Sequence, residues 1–249
     1  MVATLHWPLA APAAQIKCKI CSNLALEYGQ CDINQGGPPH TVVRPELGQA
    51  LHYHQCTQCG FMFTSQLDHW QAQDFIQHIY NEQYLEVDPD YTDLRPRSQA
   101  DMLMPSLASV PADFCMLDYG AGNGVLAQLL RQKGVDADSE DPYSQLAHVK
   151  PSTLRLYDLV CAFEVLEHSP DPLQTLSLMR SRLKEDGRML ISTLLQPDNI
   201  ADLRCKWWYC APRNGHISLF TRAALSLALG VVGAKQTHSF SESLHLAIF

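Results

Sequence analysis

Two constellations in this 249-residue chain have residue types and spacing suited to chemistry. The first is a pair of Cys-x-x-Cys turns, Cys18/Cys21 and Cys56/Cys59. Two such turns present four thiolates from short rigid loops, which suits a tetrahedral ion, and zinc is the expected one. Sulfur at all four positions leaves no place for a bound water, so the metal is expected to be structural. Cys31, His40, His52 and His54 lie between the pairs and could replace one thiolate, but at irregular spacing. The second constellation is MLDYGAGNG, residues 116–124. Glycines at 120, 122 and 124 permit positive φ and let a ligand approach without meeting a Cβ, while free N–H groups at the next helix start face it. A dinucleotide fingerprint needs its third glycine at position 125, which is Val125, so NAD and FAD are disfavoured. Asp118 sits badly for a pyrophosphate and well for the ammonium of an amino acid.

Asp141 ends the following strand, where a ribose would lie, and a carboxylate there can accept both hydroxyl protons. Asp136, Asp138 and Glu140 surround it, so a solvated acidic loop is the plain alternative; Pro142, which fixes the turn, favours Asp141. Farther on, EVLEH occupies residues 164–168. His168 suits a general base, because an imidazole titrates near working pH and Glu164 or Glu167 could tune it. Capping a helix or bonding within the core is the competing role for His168, and Glu167 reads as structural. In KWWYCAPRNGHISLF, residues 206–220, four aromatics and a histidine precede a helix. This reads as a substrate lid with His216 as a second candidate base, against the alternative that Trp207, Trp208 and Phe220 fill the core.

The elements that must position these groups follow from periodicity. An apolar strand at 114–117 leads into the glycine turn, and helical spacing from Val125 runs until Gly134 closes the helix. Strands are predicted at 135–140, 157–163, 188–192 and 243–249, and helices at 98–107, 170–183 and 221–229. Strands alternating with helices predict a parallel, doubly wound α/β sheet with ligands at the carboxyl ends of its strands. Residues 1–85 read differently: Gly36, Gly37, Pro38, Pro39, Pro45 and Gly48 lie between the cysteine pairs, so two hairpin-like knuckles are expected, followed by a short helix at 74–84. The boundary falls near residue 90, giving units 1–90 and 91–249.

MLDYGAGNG resembles motif I of class I S-adenosylmethionine (SAM)-dependent methyltransferases, and YDLVCAFEVLEH, residues 157–168, resembles the strand and V-L-E-H segment common in that class. The order of a Cys-x-x-Cys pair, a second pair followed by GFMF, YNEQY at 80–84 and then the glycine turn resembles zinc-ribbon-fused members of that class over nearly the whole chain. The resemblance implies a small zinc-ribbon domain ahead of a Rossmann-like methyltransferase sheet. It also implies transfer of a methyl from SAM to a small-molecule or sugar acceptor. Cofactor contacts would come from Asp118, Tyr119, Gly120, Ala121, Gly122, Asn123, Asp141, Pro142, Phe163 and Glu164, zinc ligands from Cys18, Cys21, Cys56 and Cys59, and catalytic groups from Glu164, His168 and His216. One departure stands out. Only residues 142–156 separate Asp141 from Tyr157, where the family fits a helix, a strand and the adenine-contacting loop, so the adenine side is expected to be short.

Composition narrows the class. The formal net charge is -8, and residues 1–85 carry only Lys17, Lys19 and Arg44 against six acidic residues, which gives phosphates little to hold. That ranks an RNA methyltransferase using the ribbon for recognition below a small-molecule enzyme; a non-catalytic interaction module with this fold is the third reading. The apolar run at 223–234 is too short for a bilayer, and the first 14 residues have no charged start of a secretory signal. Nine cysteines, four of them in metal-type pairs, point to a reducing, cytoplasmic setting with no membrane partner.

Overall fold

The computed structural model describes residues 6–37, 44–144 and 155–249, which form two sheets. In chain order the elements are β1 (Gln15–Lys17), β2 (Leu24–Asp32), β3 (Ala50–Cys56), β4 (Met62–Phe63), α1 (Ala72–His78), α2 (Tyr84–Val87), α3 (Leu94–Leu107), β5 (Cys115–Tyr119), α4 (Val125–Gln132) and β6 (Asp136–Glu140). There follow β7 (Tyr157–Phe163), α5 (Pro172–Ser181), β8 (Leu183–Ser192), α6 (Ile200–Leu203), β9 (Ser218–Leu219), α7 (Arg222–Val231), β10 (Gln236–Ser239) and β11 (Leu244–Ile248). The first sheet runs β1-β2-β3-β4-β9 and the second β10-β11-β8-β7-β5-β6.

In the second sheet β5 lies between β6 and β7, parallel to both. The chain passes from β5 to one side and then the other, so the strand order reverses there and a crevice opens at the carboxyl ends. Every residue of β5 is buried, the mark of a central strand covered on both faces. Leu103, Leu107, Leu126 and Leu130 of α3 and α4 pack with Met116, Cys161 and Leu190 in one cluster. In another, Leu176 and Met179 of α5 and Leu225 and Leu229 of α7 pack with Leu117, Val160 and Ile191. Helix starts obey local chemistry: Asp171 accepts from the Gln174 N–H at 3.0 Å ahead of Pro172, and Thr221 accepts from the Ala224 N–H at 3.0 Å.

Three expectations need correction. The sheet is mixed, because β11 runs antiparallel to β8 and β10 antiparallel to β11. A hairpin needs only the turn at 240–243, whereas another parallel strand would need a crossover; β10, with the sequence QTHS, is exposed throughout and has no apolar alternation to announce it. The segment at 74–84 is not one helix: the Asn81 side chain bonds the Gln77 carbonyl and the Gln83 N–H, turning the chain between α1 and α2. Helix α3 begins at Leu94 instead of 98, with Pro96 tolerated in its first turn. The short adenine side concerns residues 142–156, of which 145–154 lie outside the described residues; among the described residues β6 is the sheet edge.

The first sheet is not closed by residues 1–90 alone. Strand β9 pairs with β4, Met62 opposite Leu219 and Phe63 opposite Ser218. Trp207, Tyr209 and Ile217 share a buried cluster with Tyr53, Met62 and Phe75, and Phe61 lies between Phe63 and Phe220 at ring distances of 5.2 and 4.8 Å. Each such ring, fully buried, contributes roughly 1.5–3 kcal/mol. Among the described residues no helix is long and apolar enough to cross a membrane.

Candidate active site

A cavity of about 460 Å³ opens at the carboxyl ends of β5, β6 and β7, where the strand order reverses. Its floor is the glycine turn. Gly120, Gly122 and Gly124 have φ of +74°, +54° and +72°, and a Cβ at Gly120 would come within 2.4 Å of Val165 Cγ2. Only glycine fits position 120, both for its backbone and for its space. The Asp118 carboxyl lies in this floor, 5% exposed. Burial, with the nearby Asp141 carboxylate, pushes it up to about 8, and among the described residues no hydrogen bond or cation holds it down.

Asp141 forms the adjoining wall. Its carboxylate accepts from the N–H groups of Gly122 at 2.8 Å, Tyr143 at 2.7 Å and Ser144 at 3.0 Å. Burial raises its pKa while these three bonds hold it back. The side chain therefore ties the glycine turn to the end of β6, and with about four lone-pair sites it keeps capacity for another donor. This tie separates Asp141 from Asp136 and Asp138, which both pair with Arg155 on the far side of β6.

The other end of the cavity is built by the turn after β7. Glu164 sits at φ +56°, rare for a side chain of its size. Its N–H bonds the Ser192 carbonyl and hydroxyl, and the Ser192 hydroxyl donates to Glu164 Oε1 at 2.7 Å. Tyr209 donates its hydroxyl to Glu167 Oε1 and lies 3.3 Å from Glu164 Oε2. Glu167 is wholly buried, and burial together with Glu164 pushes it far above the usual carboxylate range. His168 lines the cavity; burial, then His216 and Arg95, hold its imidazolium well below the ordinary range. His216 packs edge-on behind it at 4.9 Å between ring centres, with Nδ1 2.9 Å from the Tyr209 carbonyl. Tyr80, Tyr84, Tyr91 and Tyr143 line the outer wall, and Arg95 grips Asp88 through two bonds of 2.8 Å.

Asp118, Tyr119, Gly120, Ala121, Gly122, Asn123, Asp141, Pro142, Phe163, Glu164 and His168 thus all line one cavity. His216 does not, and neither do Trp207, Trp208 or Tyr209: the expected lid is packed against the first sheet, with Trp207 and Tyr209 buried and only Trp208 substantially exposed. Glu167 reads as structural in the sequence, and nothing local marks Ser192 or Tyr209; the three meet only through the fold. The tyrosine wall had a partial signal in YNEQY, whose two tyrosines stack edge-on at 5.1 Å.

The four paired cysteines form a separate cluster with all sulfurs within 4.8 Å of one another. Cys18 to Cys59, Cys21 to Cys56 and Cys21 to Cys59 are 3.7, 3.4 and 3.7 Å apart. The Ile20 N–H points at Cys18 Sγ, and the Gln58 and Cys59 N–H groups at Cys56 Sγ, as backbone donors to thiolates would. Among the spare candidates, His52 pairs with Glu27, His54 Nε2 bonds the Ala13 carbonyl and Cys31 meets Cys210, while His40 lies outside the described residues.

Comparison with known proteins adds the family. The methyltransferase-domain family matches residues 86–238. A ubiquinone biosynthesis O-methyltransferase of Haemophilus ducreyi is 29% identical over 105 residues, covering 32% of this chain and 44% of that protein. The protein of the same description from Cereibacter sphaeroides is 32% identical over 101 residues, covering 32% and 40%. This chain spans less than half the length of these curated relatives. Among solved structures, magnesium protoporphyrin IX methyltransferase from Synechocystis with bound SAH matches at TM-score 0.44 and 17% identity, covering 64% of this chain and 83% of that one. A SAM-dependent methyltransferase from Archaeoglobus fulgidus matches at 0.42 and 18%, covering 57% and 71%.

The cavity fits SAM by its own chemistry. A glycine floor that a Cβ would fill, a buried carboxyl without a donor among the described residues and a second carboxylate at the end of the neighbouring strand provide for a backbone-hugging ligand with an ammonium and hydroxyls. With more than half its length matched by the family, the chain belongs to the methyltransferase-domain family.

Proposed function

We propose that this chain methylates a small-molecule or sugar acceptor at a hydroxyl, and that Cys18, Cys21, Cys56 and Cys59 hold a structural zinc. The observation that carries the acceptor reading is the continuity of the cavity from Asp118 to His168, with four tyrosines along its outer wall. Aromatic walls suit a compact, flat or ring-shaped acceptor. The O-methyltransferase descriptions of the curated relatives favour oxygen as the atom modified.

SAM, when bound, supplies an electrophilic methyl on a sulfonium. The residues do the rest by alignment. Asp118 holds the ammonium of the methionine end, and that contact draws its carboxyl into the ionised state. Asp141 accepts from ribose hydroxyls while keeping the Gly120–Gly122 turn in place. Tyr119, Ala121, Asn123, Pro142 and Phe163 enclose the cofactor, and Glu164 and His168 hold the acceptor hydroxyl and its proton at the far end, with His216 packed behind His168.

The sulfur separations of 3.4–3.7 Å support the zinc reading, because a tetrahedron with Zn–S of about 2.3 Å has edges of about 3.8 Å. The knuckle is also tied to the second sheet, since the Thr221 hydroxyl that caps α7 donates to the Cys59 carbonyl at 2.6 Å. Residues 1–90 are accordingly proposed as a ribbon unit docked on a methyltransferase unit and completed by β9. Calorimetry of the zinc-loaded full chain with SAH is the test of the cofactor site. Micromolar binding is expected, and no measurable heat or displacement would sink the reading. Elemental analysis of metal released by a thiol-reactive agent should give about one zinc per chain.

A further inference from the structure

From the cluster at the acceptor end we infer a second metal site: Glu167, His168 and His216, with Glu164 beside them, bind a divalent first-row cation that an acceptor oxygen can ligate. The inference deepens the acceptor reading above and rests on it for the identity of that oxygen donor.

Geometry comes first. One ligand atom from each of Glu167, His168 and His216 falls within 4.8 Å of the other two. Ligands around one ion at about 2.0–2.2 Å from it span that separation or less. The donors are also left available. Glu167 is wholly buried, yet among the described residues its Oε2 has no hydrogen-bond partner, and neither does the buried Nδ1 of His168. Natural proteins rarely leave such groups unsatisfied, and binding an ion is one standard way to satisfy them. The Tyr209 carbonyl beside His216 Nδ1 fixes the ring with that nitrogen protonated, leaving the Nε2 lone pair free, as in metal-bound histidines. Gly215, at φ +90°, makes the room: a Cβ there would sit 2.9 Å from His168 Nδ1.

Electrostatics points the same way. Glu164 and Glu167 share the single hydroxyl of Tyr209 in a largely buried pocket. Two carboxylates so placed repel one another unless a proton or a cation lies between them. The strained backbone at Glu164, φ +56°, holds the second carboxylate there. Two imidazoles with carboxylate oxygens suit Mn²⁺, Co²⁺ or Zn²⁺, whereas the four-thiolate knuckle rejects a hard ion such as Mn²⁺. His168 and Glu164 face the cavity, so an open coordination position there can take an acceptor oxygen and lower its pKa.

The test uses the zinc-loaded full chain titrated with Mn²⁺, followed by electron paramagnetic resonance of the free ion. About one Mn²⁺ should bind per chain, and pulsed measurements on the bound ion should show imidazole ¹⁴N coupling. Glu167→Gln and His216→Gln should each weaken binding by about tenfold or more, the scale at which supporting changes already act, while Asp118→Asn binds Mn²⁺ like the parent. Bound Mn²⁺ without nitrogen coupling, or no binding above that of the doubly substituted chain, overturns the site; the coupling is read on the parent protein, so an unfolded variant does not decide the matter. SAH binding measured on the same samples separates the two readings. Nitrogen-coupled Mn²⁺ without SAH binding keeps the metal and discards the cofactor site, and the converse discards the metal.

Discussion

The two ends of the cavity are built on different principles. The cofactor end is made by backbone: a turn with three glycines at positive φ, its N–H groups tied to Asp141, and one carboxyl at the end of β5. The proposed acceptor end is made by side chains from distant parts of the chain, with Tyr209 and His216 arriving from the loop before α7 to meet Glu164, Glu167 and His168 after β7. A backbone site tolerates almost no change in shape, and beyond its two carboxyl groups little depends on its side chains. A side-chain site can keep its shape through a substitution and still lose its charge balance. The first end should therefore fail by sterics and the second by electrostatics.

The largest expected effect is Gly120→Ala. A left-handed conformation costs an ordinary residue roughly 1–2 kcal/mol, and the new Cβ would also meet Val165 at 2.4 Å. SAH affinity should fall by about 100-fold or more, at about 1.4 kcal/mol per tenfold. Gly134→Ala is the control, since its φ is +88° but nothing lies within 4 Å. It should lower the melting temperature and leave SAH affinity unchanged in calorimetry. Equal losses in both variants would mean that strain, and not the shape of the cofactor end, sets the outcome.

Next comes Asp118→Asn, for which about 10- to 100-fold weaker SAH binding is expected from the loss of a buried charge-assisted contact. Its pH dependence carries a sign. Folding raises this carboxyl to about 8 from an unfolded value of about 3.9. Its contribution is therefore fully present below about pH 4 and is lost as pH rises toward about 8, where the folded carboxyl finally ionises. Urea midpoints of the ligand-free protein should fall more over pH 5–8 in the parent than in Asp118→Asn. Cofactor binding needs the ionised form, so SAH affinity should climb with pH up to about 8 in the parent and stay flatter in the variant. Parallel curves for the two proteins would remove Asp118 from the cofactor end.

Tyr209→Phe should have the smallest effect on binding. It removes the hydroxyl shared by Glu164 and Glu167, lowering stability by roughly 1–3 kcal/mol in urea unfolding while SAH affinity stays within about twofold. Turnover with a methyl acceptor should drop. A fall in SAH affinity as large as that of Asp118→Asn would show that the two ends are not separable.

Legibility in the sequence follows the same division. MLDYGAGNG could be read because strand, turn and carboxylate are contiguous, and the glycines do have the backbone angles their spacing implied. The β7 strand was legible to its ends because it is a buried apolar run. Strand β10 was not, since a polar edge strand is defined by its partner and not by its own pattern. In the sequence only Pro142 favours Asp141 over its acidic neighbours; the fold adds the Gly122 N–H that bonds it. The loop at 206–220 was read as a lid because its aromatics suit a ligand as well as a core; it is their burial against β3 and β4 that shows what they pack on.

By itself the sequence determined what depends on neighbours along the chain: the four cysteines in two turns, the glycine turn with Asp118, and the alternation of strands and helices. Backbone freedom and short-range spacing are local properties, so they are written locally. Only the tertiary structure decided what Glu167, His216 and Tyr209 do, and that residues 218–219 complete the first sheet. Those outcomes depend on which groups are buried together, and burial is settled by the packing of elements more than a hundred residues apart.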